Sequence, residues 1–168
     1  MSTQNTRFRV VVGADAAGHH YKGMLAHDLR ASTLVAEVMD IGIDGPTHIA
    51  YPEIALAAAQ LIATGQADRA LLVCHTGLGM AITANKVAGV RAVTAHDSLS
   101  VRAAVRSNNA QVLTFGQGVI GLGLARQLAA EWLTHRFDPG SSAATKVRLI
   151  SDFEQRNVPG LAAVEGQV

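Results

Sequence analysis

The stretch Ala70-Leu-Leu-Val-Cys-His-Thr-Gly-Leu-Gly-Met-Ala-Ile-Thr-Ala-Asn85 decides the fold. Ala70 to Cys74 is a short apolar run of the length of a buried strand. Gly77 and Gly79 supply a turn, and Met80 to Val87 has helical spacing. The same alternation repeats outward in both directions. Upstream, Phe8 to Val12 reads as a strand closed by Gly13, and Tyr21, Met24, Leu25 and Leu29 fall on one helical face. Val35 to Ile41 reads as a second strand, ended by Gly42 and a Gly45-Pro46 turn. Pro52 suits the first turn of a helix whose apolar face holds Ile54, Ala58, Leu61 and Ile62, with Gly65 as its stop. Downstream, Ala92 to Ala95 and Val112 to Phe115 complete five strands. Leu99 to Val105 reads as a helix, and Leu124, Leu128 and Trp132 mark another that ends near Pro139-Gly140. A last amphipathic segment carries Val147, Ile150 and Phe153. Strands alternating with helices predict an α/β fold with a mostly parallel five-stranded sheet. Ligands in such sheets bind beyond the carboxyl ends of the strands. That rule selects Asp15, Cys74 to Gly79, His96 to Ser98 and Gly116 to Gly118.

The chain has 168 residues, 49% hydrophobic, 4% aromatic and 16% charged. Soluble domains average about 25% charged residues, so this surface is sparsely charged. The length suits one core, expected over residues 1–157, with residues 158–168 as a flexible C-terminal tail. Fourteen Lys and Arg stand against thirteen Asp and Glu with no block of like charge, which argues against a nucleic-acid partner. The most apolar stretches, such as Ile54 to Ala63, are about half the length of a membrane span. Met1 to Val10 lacks the apolar core of a signal peptide, so the expected compartment is the cytoplasm. A lone cysteine, Cys74, excludes an intrachain disulfide and a cysteine zinc cage. The seven histidines show no His-x-x-x-His spacing, and no metal or cofactor is expected. Gly116-Gln-Gly-Val-Ile-Gly121 has half of a dinucleotide fingerprint but follows the fifth strand, with no acidic partner about 20 residues on. It reads as a tight helix-packing turn.

The Cys74 loop carries the chemistry. Its glycines allow a tight turn that exposes backbone N–H groups, which with a helix start form an anion site. Such a site favours the thiolate of a cysteine at its mouth. A thiolate there can take a proton from carbon while the amides hold the oxyanion that develops. The competing reading is a buried thiol serving as a small hydrophobe beside an ordinary glycine turn.

Cys74-His-Thr-Gly-Leu-Gly79 and Ala84-Asn-Lys-Val-Ala-Gly-Val-Arg-Ala92 together resemble the signature of the type B ribose-5-phosphate isomerases. These group with galactose-6-phosphate isomerase subunits and tetrose-phosphate isomerases. Their pattern is Cys-Gly-Thr-Gly-x-Gly, a short spacer, then Ala-Asn-Lys-x-x-Gly-x-Arg-Ala. Gly13-x-Asp15-x-x-Gly18, Tyr51-Pro52, His96-Asp97, Asn108 and Val119-Ile120-Gly121 extend the match over about residues 8–155. The resemblance implies a Rossmann-like three-layer sandwich, and a homodimer or homotetramer whose sites are shared between chains. It also implies metal-free aldose–ketose isomerisation of a sugar phosphate through a cis-enediolate. Carried over, Cys74 is the base, and Thr76 with the amides of Gly77, Leu78 and Gly79 stabilises the enediolate. Asp15 and Asn108 then hold substrate oxygens, and Tyr51 lines the site.

The departures from that pattern carry information. The ribose-5-phosphate enzymes have a His-Asn pair whose imidazole opens the furanose ring; here the pair is Ser107-Asn108. A hydroxyl is a poor general acid beside an imidazole near pKa ~6.5. Erythrose 4-phosphate needs no ring opener, because its C4 oxygen is esterified and no furanose can close. Ser107 to Gln111 also resembles the corresponding segment of erythrulose-4-phosphate isomerases. The alternative is drift at a helix end, with His96 taking over as acid. Basic residues that grip phosphate in relatives are replaced by Ala16, by Gly118 and by the segment Gly140 to Thr145. Lys146 and Arg148 are candidate replacements, with Arg102, Arg106, His19, His20 and Lys22 behind them, and a carboxylated or unphosphorylated substrate would fit the same losses. His75 stands where relatives have Gly, placed to tune Cys74, meet substrate or face solvent.

Three functions follow: an isomerase interconverting D-erythrulose 4-phosphate and D-erythrose 4-phosphate; a ribose-5-phosphate isomerase with His96 or His75 as acid; or a non-catalytic subunit that walls a homologous chain's site. Retention of Cys74 and Thr76 argues against the last.

Overall fold

The structure is a computed structural model that describes residues 7–42 and 49–157. The expected Gly45-Pro46 turn and the tail 158–168 lie outside the described residues. Five strands alternate with helices: β1 (Phe8–Ala14), α1 (His19–Ala31), β2 (Val35–Asp40), α2 (Tyr51–Ala63), β3 (Arg69–Cys74), α3 (Leu78–Ala84), β4 (Ala92–Thr94), α4 (Ser98–Arg106), β5 (Val112–Gly116), α5 (Leu122–Thr134) and α6 (Ser142–Asn157). The sheet order is β2-β1-β3-β5-β4 and every pairing is parallel. The expected Rossmann-like three-layer architecture is the one observed. Among the described residues no helix is long and apolar enough to cross a membrane.

The period of two along each strand sorts the core into two layers. Val10, Val12, Leu71, Val73, Leu113 and Phe115 pack against α1, α4 and α5 through Leu25, Leu29, Val101, Leu128 and Trp132. Val11, Ala70, Leu72, Cys74 and Val112 face α2 and α3 through Ile54, Ala58, Met80 and Ala84. That parity places Cys74 under α3. Alanine in α2 and α3 lets these helices lie close to the sheet. A Cβ on Gly13 would meet Ile54 Cγ2 at 2.6 Å, so the glycine that ends the predicted strand is the close-approach point.

The last segment forms a helix, as its spacing predicts, but hardly packs on its own domain. Of its residues Ala144 and Val147 are buried. Leu149, Ile150 and Phe153 are 64%, 53% and 64% exposed. Two of the three residues assigned to its apolar face are therefore open.

At the amino edge of the sheet, β3 opens with Arg69, which is 5% exposed. Its guanidinium lies 4.0 Å from the Phe8 ring centroid and 4.9 Å from that of Trp132. It donates to the carbonyls of Trp132 and His135 at 2.5 Å. Arg136 covers Phe8 at 3.9 Å and donates to Leu133 O at 2.6 Å. A helix C-terminus is the favourable end for cations, and these arginines take carbonyls that have no partner within α5. Burial, helped by the neighbouring charge of Arg136, holds the Arg69 pKa down to about 9, which leaves it protonated at neutral pH. Replacing Arg69 with Met keeps the bulk but removes two charge-assisted hydrogen bonds, leaving the Trp132 carbonyl to the His135 N–H and the His135 carbonyl to Arg136. Urea unfolding of Arg69→Met is expected to show a loss of about 1–3 kcal/mol.

Candidate active site

In the strand order the chain turns back between β1 and β3, the point at which open α/β sheets form a crevice. The carboxyl ends that meet there are Ala14, Cys74 and, paired with Cys74, Gly116. The side chains beyond them form the candidate site.

Cys74 ends β3 with its thiol buried. The chain then reverses into α3 through Gly77, whose φ of +82° is costly for a residue with a side chain. A Cβ there would also come within 3.0–3.1 Å of the Phe115 backbone and 3.1 Å of the Thr94 methyl. The turn brings the Gly77 N–H to 3.1 Å from Cys74 Sγ, which accepts its hydrogen. Thr76 is half-buried beside it, and its Oγ1 accepts a long 3.4 Å bond from Leu78 N–H. Tyr51, at the start of α2, closes over the loop: a Cβ on Gly79 would lie 2.6–2.7 Å from its ring carbons.

The loop after β5 is tied to the Cys74 loop. Gln117 N–H donates to Cys74 O and Gly118 N–H to His75 O, both at 2.9 Å. A Cβ on Gly116 would strike the Thr76 carbonyl at 2.7 Å. The His75 ring lies over Gly118, where a Cβ would fall 2.3–2.9 Å from three of its ring atoms. Gln117 reaches further, accepting from Tyr21 N–H at 3.0 Å, and Tyr21 Oη donates to Ile120 O at 3.0 Å. The glycine-rich segment 116–121 thus clamps the Cys74 loop and the first turns of α1, a role beyond the helix-packing turn expected.

Asp15 follows β1. Its Oδ1 accepts from Ala17 and Gly18 N–H at 3.0 and 3.1 Å, so it shapes the turn into α1. His96 follows β4 and its Nε2 accepts from Gly116 N–H at 3.0 Å. Only an imidazole unprotonated at Nε2 can accept there. Burial lowers the His96 pKa below the usual histidine value, against an opposing pull from Asp97. Asp97 caps α4 by accepting from Ser100 N–H at 2.8 Å.

Ser107 and Asn108 are not with Cys74. They follow α4, and Asn108 O accepts from Arg91 Nε at 3.1 Å before β4 begins. This is the amino edge of the sheet. Cys74 stands level with Gly116, four residues beyond Val112, which is roughly 13 Å along the strands. Asn108 sits at an open groove of about 250 Å³ along the free edge of β4, with Thr94, Ala95 and Ser100. Lys146 and Arg148 are exposed on α6, where Arg148 donates to Thr145 at 3.2 Å; neither is hydrogen-bonded to the Cys74 loop. Lys22 is buried and ion-paired with Asp40 at 2.9 Å. His19 and His20 are exposed at the start of α1, on the Asp15 side of the crevice.

Sequence reasoning selected Gln117 as a strand-end position without assigning its role, and missed the buried Thr114. The signal for Thr114 was available, since a hydroxyl interrupts the apolar run from Val112 to Phe115.

The ribose/galactose isomerase family model matches residues 10–150. The chain is 54% identical over 147 residues to D-erythrulose-4-phosphate isomerase 2 of Mycolicibacterium smegmatis, covering 87% of this chain and 97% of that protein. It is 39% identical over 149 residues to the ribose-5-P isomerase B of Listeria innocua, covering 89% and 99%. Among solved structures, the type B ribose 5-phosphate isomerase of Leishmania infantum superposes with a TM-score of 0.85 at 30% identity, covering 90% of this chain and 99% of that one. With a thiol and backbone amides gathered at the switch point of such a sheet, the chain belongs to the ribose/galactose isomerase family and is an isomerase.

Proposed function

We propose that the enzyme interconverts D-erythrulose 4-phosphate and D-erythrose 4-phosphate, with Cys74 as the base. The observation that carries the chemistry is the Cys74 sulfur held at 3.1 Å as the acceptor of the Gly77 N–H, at the carboxyl end of β3. From the ketose, the thiolate takes a proton from C1 and the C1–C2 enediolate forms. The same sulfur returns that proton to C2, while the hydroxyl proton on O1 passes to O2, leaving the aldehyde at C1. Thr76 and the amides of Gly77, Leu78 and Gly79 face the developing charge, Tyr51 covers the sugar, and Asp15 lies at its rim. His75, raised on Gly118 beside the thiol, contacts the substrate. His19 and His20 are placed to meet its phosphate. Because sugar phosphates do not cross membranes unaided, the reaction belongs in the cytoplasm.

The four-carbon substrate is favoured by two features. Ser107 offers no ring-opening imidazole, and none is needed where no furanose can close. His96, one of the two expected substitutes beside His75, has Nε2 engaged as an acceptor from Gly116 N–H and is held neutral, which makes it a poor proton donor. The 54% identity to a D-erythrulose-4-phosphate isomerase points the same way.

Ser107 and Asn108 can join a site only from a neighbouring copy, because their own chain's Cys74 is at the opposite edge of the sheet. The proposed assembly is a symmetric homodimer, alone or paired into a tetramer. The open apolar side of α6 with exposed Leu78 and Ile82 of α3 supplies the apolar surface a stable interface needs.

Assays with both sugars are expected to give a higher kcat/KM for the tetrose phosphate than for ribose 5-phosphate. The reverse order would remove the tetrose assignment. Cys74→Ser is expected to lose about a thousandfold or more in kcat with an unchanged circular dichroism spectrum, and an active variant would remove Cys74 as base. Mixing inactive Cys74→Ser and Asn108→Ala chains is expected to regain about a quarter of wild-type activity. Half of the dimers are then mixed, each with one intact site. No recovery after subunit exchange would refute the shared site.

A further inference from the structure

A buried hydroxyl stands directly beneath the Cys74 loop, and no part of the proposed chemistry uses it. Thr114, in β5, is completely buried. Its Oγ1 donates to Gly77 O at 2.9 Å and lies 2.7 Å from Thr94 Oγ1. With the Thr114 hydrogen given to the carbonyl, Thr94 is the donor of the second bond, so the two hydroxyls form a directed chain: Thr94 to Thr114 to Gly77. The strand register sets this up. Thr94 and Thr114 are paired across β4 and β5, so both side chains point to the sheet face that α3 covers.

We propose that Thr114, backed by Thr94, is a positioning residue for the reaction: it fixes the peptide planes around Gly77 and thereby the N–H that Cys74 accepts. Gly77 has a backbone that would otherwise sample many conformations, and its φ of +82° is one that few other residues tolerate. Two bonds pin its carbonyl, the Ala81 N–H at 3.2 Å and the Thr114 hydroxyl. The Gly77–Leu78 peptide is planar and trans, so holding the carbonyl toward the sheet directs the Leu78 N–H away from it, to Thr76 Oγ1 at 3.4 Å. On the other side of the same residue, the Gly77 N–H stays aimed at Cys74 Sγ. A hydrophobic residue at 114 would fill the same space without restraining the turn. The buried polar group has its partners satisfied, so it costs the core little and specifies one loop geometry. This inference rests on the reading of Cys74 as the base.

The test is Thr114→Val, which keeps the shape and removes the hydroxyl, beside Thr114→Ser, which keeps the hydroxyl and removes a methyl. Thr114→Val is expected to lower kcat roughly tenfold or more with KM changed less than about threefold, because the loss falls on the geometry of the reacting groups. The rate of Cys74 alkylation by iodoacetamide at fixed pH is expected to fall several-fold alongside. Thr114→Ser is expected to restore most of both. Thr94→Val, which leaves Thr114 in place without its donor, is expected to move both readouts the same way by less, and it serves if Thr114→Val does not fold. Unchanged kcat and alkylation in Thr114→Val, or in Thr94→Val where that is the variant that folds, would overturn the proposal. So would a Ser variant as impaired as the Val variant, which would mark packing as the cause. Alkylation reads the thiol without any sugar. A shifted alkylation rate with full activity in Cys74→Ser would therefore refute Cys74 as base while upholding the restraint on the loop.

Discussion

The ladder between β3 and β5 continues past the end of the sheet. Within the strands it runs from Ala70 and Val112 to Cys74 and Gly116. Beyond them it is extended by Gln117 N–H to Cys74 O and Gly118 N–H to His75 O. This extension keeps the two loops in one register, and much of the site follows from it. Gly116 lies against Thr76, Gly77 packs on the Phe115 backbone, and the Thr114 hydroxyl meets the Gly77 carbonyl. A loop held on both edges by backbone bonds keeps its N–H groups in place before any ligand arrives. Preorganised donors of this kind stabilise developing charge without reorganisation at the moment of reaction.

The candidate site is accordingly lined by dipoles more than by full charges. A chain with 16% charged residues leaves few free cations near the crevice, and the most buried lysine there, Lys22, is ion-paired with Asp40. Arg69, the most deeply buried arginine, works at the opposite edge as a cap for α5. Carboxylates near the crevice are also used locally: Asp15 shapes the turn into α1 and Asp97 caps α4. Backbone N–H groups and histidine stand at the crevice, His75 over Gly118 and His19 and His20 at the start of α1.

The fold was legible because each element carries its own period. Strand runs such as Ala70 to Cys74 and helix faces such as Ile54, Ala58 and Ile62 occur where the pattern puts them, and Pro52 lies in the first turn of α2. The thiol was legible too, since a cysteine ending a buried run before a glycine turn can only lie at the strand's carboxyl end. Three things were not legible. Ser107 and Asn108 follow a helix that returns to the amino edge, so their distance from Cys74 depends on topology and not on spacing. The apolar stripe of α6 reads as core, because one chain's pattern does not say whether its own sheet or another copy covers Ile150 and Phe153. The neutral, accepting state of His96 depends on a 3.0 Å contact with Gly116, a residue 20 positions away in the chain.

The same principle joins two departures from the family pattern that look independent in the sequence. His75 stands where relatives have glycine, and Gly118 stands where they have arginine. In space these are one exchange. The ring of His75 occupies the volume that any side chain at 118 would enter, with three ring atoms within 2.9 Å of the Cβ position. A side chain at 118 and a histidine at 75 in this rotamer therefore exclude each other. The backbone bond from Gly118 N–H to His75 O fixes the two loops at the separation where the exclusion holds. Where the family pattern has an arginine in the β5 loop, this chain has a short imidazole rising from the β3 loop, next to the thiol. The imidazole on that side of the crevice stands one residue from Cys74. That placement suits a substrate whose anionic group lies closer to its carbonyl, as it does in a sugar with four carbons.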